Sequence, residues 1–223
     1  MTDLDPAAWA LGPATRARLV FDADDARAHA VLSADERERM ATFASPARRQ
    51  QFRLGRLAAR TLAGEAARID PGAVDLAVAA DGAPTLPGAY LSIAHTGRAG
   101  ATAALAAVST RPVGVDLERV ATRRPDLWRR ILHPEEYVLL EALGGPTNNT
   151  QTLLWALKES VLKAQRTGFR AGGKSVRLAL AADGAPPDRG TATATSDAGA
   201  WSLAFGREGD LWVAAAWRPD PAG

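Results

Sequence analysis

Val113-Gly114-Val115-Asp116-Leu117-Glu118 is an apolar strand that carries two carboxylates two residues apart. Side chains on a strand alternate between faces, so Asp116 and Glu118 project to the same side. Two carboxylates held this way at the end of a hydrophobic strand repel each other unless a cation lies between them, and hard oxygen ligands select Mg2+, Mn2+ or Ca2+. The plainer alternative is an exposed strand end with Arg111 and Arg119 as salt-bridge partners.

Downstream, Trp155-Ala156-Leu157-Lys158-Glu159-Ser160-Val161-Leu162-Lys163 has helical spacing. Leu154, Leu157 and Val161 form a core stripe, while Trp155, Glu159 and Lys163 follow one another at i, i+4 and i+8 on a neighbouring face, with Lys158 at the border. The chain uses 24 Arg but only three Lys, and two of those are Lys158 and Lys163. A compact ammonium beside Glu159 suits a third acid completing a metal site; a solvated face with an ordinary Glu–Lys pair is the other reading. Upstream, Leu91-Ser92-Ile93-Ala94-His95-Thr96-Gly97 brings His95 out where a strand gives way to a glycine turn. A histidine there contacts an anionic ligand or is a hydrogen-bonded structural residue. His29 and His133 have no such setting and read as surface residues.

Working outward, a strand at 16–22 is followed by Ser33 and Glu36 in a capping-box pattern opening a helix to about Phe43. A second helix starts near Ser45 and Pro46 with a stop at Gly64, and strands follow at 74–80, 89–94 and 101–108. From Arg111 the order begins again: the strand at 113–118, helical segments at 127–131 and 134–143, a long helix over 150–165, then strands at 175–181, 191–195, 201–205 and 211–217. The segment before Ala14 reads as a loosely held arm. The expected class is α+β: two similar halves, residues 1–110 and 111–223, each with helices on a small antiparallel sheet, related by a pseudo-two-fold with a ligand cleft between them.

With 223 residues, 47% hydrophobic and 23% charged, the chain is a globular one rather than a disordered one. It lacks cysteine, which removes disulfides, thiolate zinc sites and cysteine nucleophiles and fits a reducing cytoplasm. A net charge of +2 implies no bulk attraction to nucleic acid. An acidic start at 1–5 and the lack of a long apolar run predict a chain that neither crosses a membrane nor carries a secretion signal.

Read together, Gly82-Ala83-Pro84, Ser92-Ile93-Ala94-His95, Gly114-Val115-Asp116-Leu117-Glu118 and Trp155 through Lys163 resemble, in order, the motifs of the longer, Sfp-type 4′-phosphopantetheinyl transferases. Gly55-Arg56 and Pro134-Glu135-Glu136 resemble family features too. Members often carry Lys or Arg where this chain has Ala83. The resemblance implies Mg2+-dependent (or Mn2+-dependent) transfer of the phosphopantetheine arm of coenzyme A to a serine of an apo acyl, peptidyl or aryl carrier protein, releasing adenosine 3′,5′-bisphosphate.

It further implies Asp116, Glu118 and Glu159 as metal ligands, with Glu159, Lys163 and Asp116 in catalysis. Glu159 takes the serine proton and Lys163 neutralises the departing phosphate. His95, Ser92, Lys158, Lys163, Gly82 and Pro84 are implied at the coenzyme, Lys158 on its pyrophosphate, and one or more of Arg48, Arg49, Arg53 and Arg56 at its 3′-phosphate. Leu127, Trp128 and Ile131, within 121–137, are candidate apolar contacts for a carrier helix. A cytoplasmic monomer without nucleic-acid or membrane partners is expected. A metal-dependent phosphohydrolase of a nucleotide and a non-catalytic coenzyme A-binding module are the alternatives.

Overall fold

The computed structural model describes all residues except 1, 6–8, 10, 12–14, 99–100, 168–171, 182–183 and 220–223. The strands are β1 (Thr2–Leu4), β2 (Arg16–Phe21), β3 (Ala77–Val78), β4 (Pro84–Thr85), β5 (Tyr90–Thr96), β6 (Ala103–Ser109), β7 (Val113–Arg119), β8 (Arg177–Ala179), β9 (Arg189–Ser196), β10 (Gly199–Glu208) and β11 (Leu211–Trp217). The helices are α1 (Asp25–Val31), α2 (Ala34–Ala41), α3 (Pro46–Ala67), α4 (Pro125–Ile131), α5 (Glu136–Ala142) and α6 (Asn148–Ala164).

Alternation along the strands builds four layers. In β6, Ala103, Leu105 and Ala107 point into a central core, while Ala104, Ala106 and Val108 point to α3. In β11, Leu211, Val213, Ala215 and Trp217 enter that same central core, and Trp212, Ala214 and Ala216 enter a second one under α6. Strands buried on both faces read as continuous apolar runs, which is how Leu211–Trp217 is composed. The order through the molecule is therefore α3, an antiparallel sheet β1-β2-β6-β5, an antiparallel sheet β7-β11-β10-β9-β8, and α6. This is the expected α+β class, with a helix on an antiparallel sheet on either side of the central core. A separate small hairpin pairs β3 with β4.

The predicted capping box is present: Ser33 Oγ accepts from Glu36 N–H, and the Glu36 carboxylate accepts from Ser33 N–H. Other expectations are corrected. The opening segment includes β1, paired along β2, and it sinks Leu4 and Trp9 into the central core with Leu11 packed against it; residues 1, 6–8, 10 and 12–14 lie outside the described residues. The helix α3 runs past Gly64 to Ala67 and ends with Arg68 in the left-handed conformation. Gly64 serves packing instead, because a Cβ there would come within 2.8 Å of Ile69 O. The strand expected over 74–80 shrinks to two residues, and α1 was not anticipated. Trp128 and Ile131 are buried in the core under α6 with Leu127 packed against it, so they do not form the expected carrier-facing patch; Tyr137 and Val138 are the exposed apolar residues nearby.

Lys158 also differs from expectation. It is 1% exposed, and its Nζ meets Glu136 Oε2 at 2.6 Å while donating to Gly173 O (3.0 Å) and Val176 O (2.5 Å). Glu136 in turn accepts from the backbone N–H of His133 and Leu178. With its three protons directed at three oxygens, this ammonium ties α5 and the 173–176 turn to α6 and has none left for a pyrophosphate. The burial alone lowers its proton affinity, and Glu136 restores part of it.

The approach of α6 to β7 fixes everything near the site. Gly114 faces α6, and a Cβ on it would lie 2.0 Å from Ser160 O and 2.3 Å from Ala164 N. We expect Gly114→Ala to force helix from strand and to cost roughly 1–3 kcal/mol or more in denaturant unfolding, with loss of activity. Lys158→Ala strands a buried carboxylate and should cost about 3–5 kcal/mol, whereas Lys158→Met combined with Glu136→Gln should recover much of that loss.

Candidate active site

Because Gly114 lies on the α6 side of β7, the period of two puts Asp116 and Glu118 on that side as well. The period of α6 supplies the facing stripe of Trp155, Glu159 and Lys163. The two elements meet in opposite directions: Trp155 Nε1 donates to Glu118 Oε1 at 2.9 Å, and Lys163 Nζ donates to Asp116 Oδ1 at 2.6 Å. Glu159 stands between these two contacts along the helix. The expected partner Arg119 pairs with Asp210 instead, and Glu118 Oε2 accepts from Arg123 Nη2 at 2.6 Å. The Arg123 guanidinium also lies over the Trp155 ring, 5.2 Å from its centroid.

Two of these acids, Glu118 and Glu159, are held back from ionising. Burial first, and then Asp116 and Glu118, push the Glu159 carboxyl up to about 7 against the opposing pull of Lys163. Glu118 is raised by burial and by Asp116, partly offset by Arg123 and the Trp155 hydrogen bond. Two oxygens, Asp116 Oδ2 and Glu159 Oε1, are buried with no hydrogen-bond partner. Buried acceptors of this kind call for an explanation, and a bound ion is one of few. Among the described residues, however, no three acidic or histidine side chains stand in a metal-clasping group. The three acids meet as neighbours, with Lys163 and Arg123 taking up part of their charge.

A cleft of about 540 Å3 opens beside this cluster. One wall holds Gly82, Pro84 and Ser92, and the other holds Lys163 and Arg166 at the end of α6. Lys163 thus joins the cleft to the acids. Ser92, buried in β5, spends its hydroxyl on accepting the N–H of Val115 at 3.0 Å, which links the edge strands of the two sheets. A smaller cavity of about 150 Å3 shares Gly82 and Pro84 with the cleft and is lined by Arg48, Phe52, Arg56 and His95.

The four candidate arginines separate. Arg48 Nη1 meets His95 Nε2 at 2.5 Å. Arg56 pairs with the buried Glu36 at 3.3 Å, lies over Phe52, and keeps one buried Nη1 without a hydrogen-bond partner. Arg49 instead donates to the Phe43 carbonyl, and Arg53 Nη1 contacts Met40 Sδ; neither lines the two cavities. His95 is held down to about 4 by burial, then by Arg48 and Lys163, so at neutral pH its imidazole is uncharged and the cation beside it is Arg48. Sequence reading missed Arg123 and Arg166, and it noted Glu136 only within the Pro134-Glu135-Glu136 motif, without its partner Lys158. Nothing in the sequence around Arg123 singled it out among the chain's 24 arginines.

Residues 112–216 match the family model of the 4′-phosphopantetheinyl transferase superfamily, a span that runs from β7 through β11 and includes both acids and α6. A 4′-phosphopantetheinyl transferase of Bacillus subtilis is 30% identical over 166 residues, 72% of this chain and 72% of the relative. A phosphopantetheinyl transferase of Thraustochytrium sp. (strain ATCC 26185 / S-3) is 31% identical over 188 residues, 74% of this chain and 60% of that protein. The 4′-phosphopantetheinyl transferase Sfp of Bacillus subtilis (strain 168) is 26% identical over 169 residues, 69% and 74% of the two chains. An identity of 30% spread over nearly three quarters of both chains makes this protein an enzyme of the 4′-phosphopantetheinyl transferase superfamily.

Proposed function

We propose that this chain transfers the 4′-phosphopantetheine arm of coenzyme A to a serine of an apo acyl or peptidyl carrier protein, with Mg2+, releasing adenosine 3′,5′-bisphosphate. The observation that carries the reading is the meeting of Asp116, Glu159 and Lys163 beside the cleft, with Asp116 Oδ2 and Glu159 Oε1 buried and unpartnered. Oxygen donors of this kind suit a hard divalent cation. In this reading Asp116, Glu118 and Glu159 are the residues that would hold Mg2+ or Mn2+, and the ion would supply positive charge for the pyrophosphate oxygens.

The chain's own groups supply the remaining steps. The serine Oγ forms a bond to the β-phosphorus as the bond from that phosphorus to the oxygen bridging the α-phosphate breaks, so the leaving group departs as the bisphosphate. Glu159, poised near neutrality, takes the serine proton. Lys163 neutralises charge on the departing phosphate, and its ion pair with Asp116 fixes where that ammonium stands. Arg48, Arg56 and neutral His95 face the smaller cavity, where phosphate and adenine groups are received. Residues 1–110 then act as the nucleotide-contacting half, and residues 111–223 as the metal-holding, catalytic half, of a monomer. Among the described residues no helix is long and apolar enough to cross a membrane.

Incubated with coenzyme A and Mg2+, the enzyme should make an apo carrier heavier by one arm in mass spectrometry, and chelation should stop the gain. A carrier of unchanged mass while coenzyme A is consumed would make the enzyme a hydrolase instead. Glu159→Gln and Lys163→Met should each lower kcat/KM by about 10²–10⁴. Glu159 also makes stability depend on pH. Its folded carboxyl binds a proton more tightly than the unfolded one, so its contribution falls as pH rises from about 4.5 through about 7. Without divalent ions, Glu159→Gln should therefore gain on the wild type between pH 5 and 8, by at least about tenfold in the folding constant measured in denaturant.

A further inference from the structure

The turn that opens the cleft is built on very little. The strands β3 and β4 pair over only two residues each, and hairpins of that size do not hold themselves in water. Their loop is closed by Gly82 N–H to Ala79 O at 2.8 Å and by Ala79 N–H to Ala83 O at 2.9 Å. Asp81 Oδ1 adds a cap by accepting the Ala83 N–H at 3.0 Å.

The same carboxylate reaches across the cleft. Arg166 Nη2 donates to Asp81 Oδ1 and its Nε donates to Oδ2, both at 3.2 Å, in the two-pronged geometry that fixes direction as well as distance. Asp81 lines one wall and Arg166 the other. Arg166, just past the Gln165 cap of α6, has φ 59, a left-handed conformation that costs a non-glycine residue energy and that turns the chain at the cleft rim. Their side chains are 35% and 45% exposed, so the pair adds little to global stability. Its consequence is geometric: it fixes the Gly82-Ala83-Pro84 turn relative to the end of the helix that carries Lys163.

We propose that the Asp81–Arg166 pair is a strap across the coenzyme cleft, which makes Arg166 a positioning residue for coenzyme A. This rests on the reading of the cleft as the coenzyme site. Without the strap the turn must be ordered at the moment of binding, and that ordering weakens affinity without touching the reacting atoms.

The test is a double-mutant cycle of Asp81→Asn, Arg166→Gln and both together, assayed for arm transfer to an apo carrier, with folding checked by circular dichroism and thermal midpoint. Each single variant should raise KM for coenzyme A about three- to tenfold, leaving kcat and the carrier KM within about twofold. The double variant should be no worse than either single, because the two residues act as one unit. Arg166→Lys should regain part of the loss. Unchanged coenzyme KM in both singles overturns the strap, as does a loss confined to the Arg166 variants, which would mean that the guanidinium contacts the coenzyme itself. A wild type that fails to load carriers refutes the functional reading instead, and the two failures are thereby told apart.

Discussion

The contact between Gly114 and the backbone of Ser160 and Ala164 is the constraint on which the site rests. A side chain at 114 would hold α6 away from β7 by more than an ångström. Asp116 could not then receive Lys163 at hydrogen-bond distance, nor Glu118 the indole of Trp155. One missing methyl group thus converts two separate amphipathic patterns into one cluster. The residues on the other face of β7, Val113, Val115 and Leu117, anchor the strand in the central core, so the acids stand on a support that does not give.

Charge is distributed around this support with some economy. Three acids crowd one end of β7, and the protein meets their repulsion with Lys163, Arg123 and an indole N–H rather than with bulk water. Burial keeps Glu159 close to half-ionised at neutral pH and keeps His95 neutral beside Arg48. Arg48 thus stands beside an uncharged imidazole, and Lys163 beside a carboxyl that can change its charge. Lys158 shows the opposite use of the same helix, an ammonium sealed in the core to bind α5 and α6 together.

Regular periodicity made much of this legible in advance. The faces of β7 and α6, the capping box before α2 and the long apolar run of β11 follow from spacings of two and of three to four residues. What could not be read were contacts between residues distant in sequence. Nothing local to Lys158 announces Glu136, and nothing near Trp9 announces that the central core will take it in. Gly64 looked like a helix stop because glycine ends helices, yet here its lack of a side chain admits the chain that returns at Ile69 and Pro71. The patch at 127–131 was apolar for the commonest reason, which is burial.

The single hydroxyl bond from Val115 to Ser92 has a mechanical meaning. Within each sheet, neighbouring strands are stitched by whole ladders, but β5 and β7 lie side by side as members of different sheets. Sliding one along the other sacrifices one hydrogen bond, whereas shearing any ladder sacrifices several at once. Relative movement of the two sheets along this line would leave every ladder intact, and it is opposed by that hydroxyl bond and by the apolar packing of the central core.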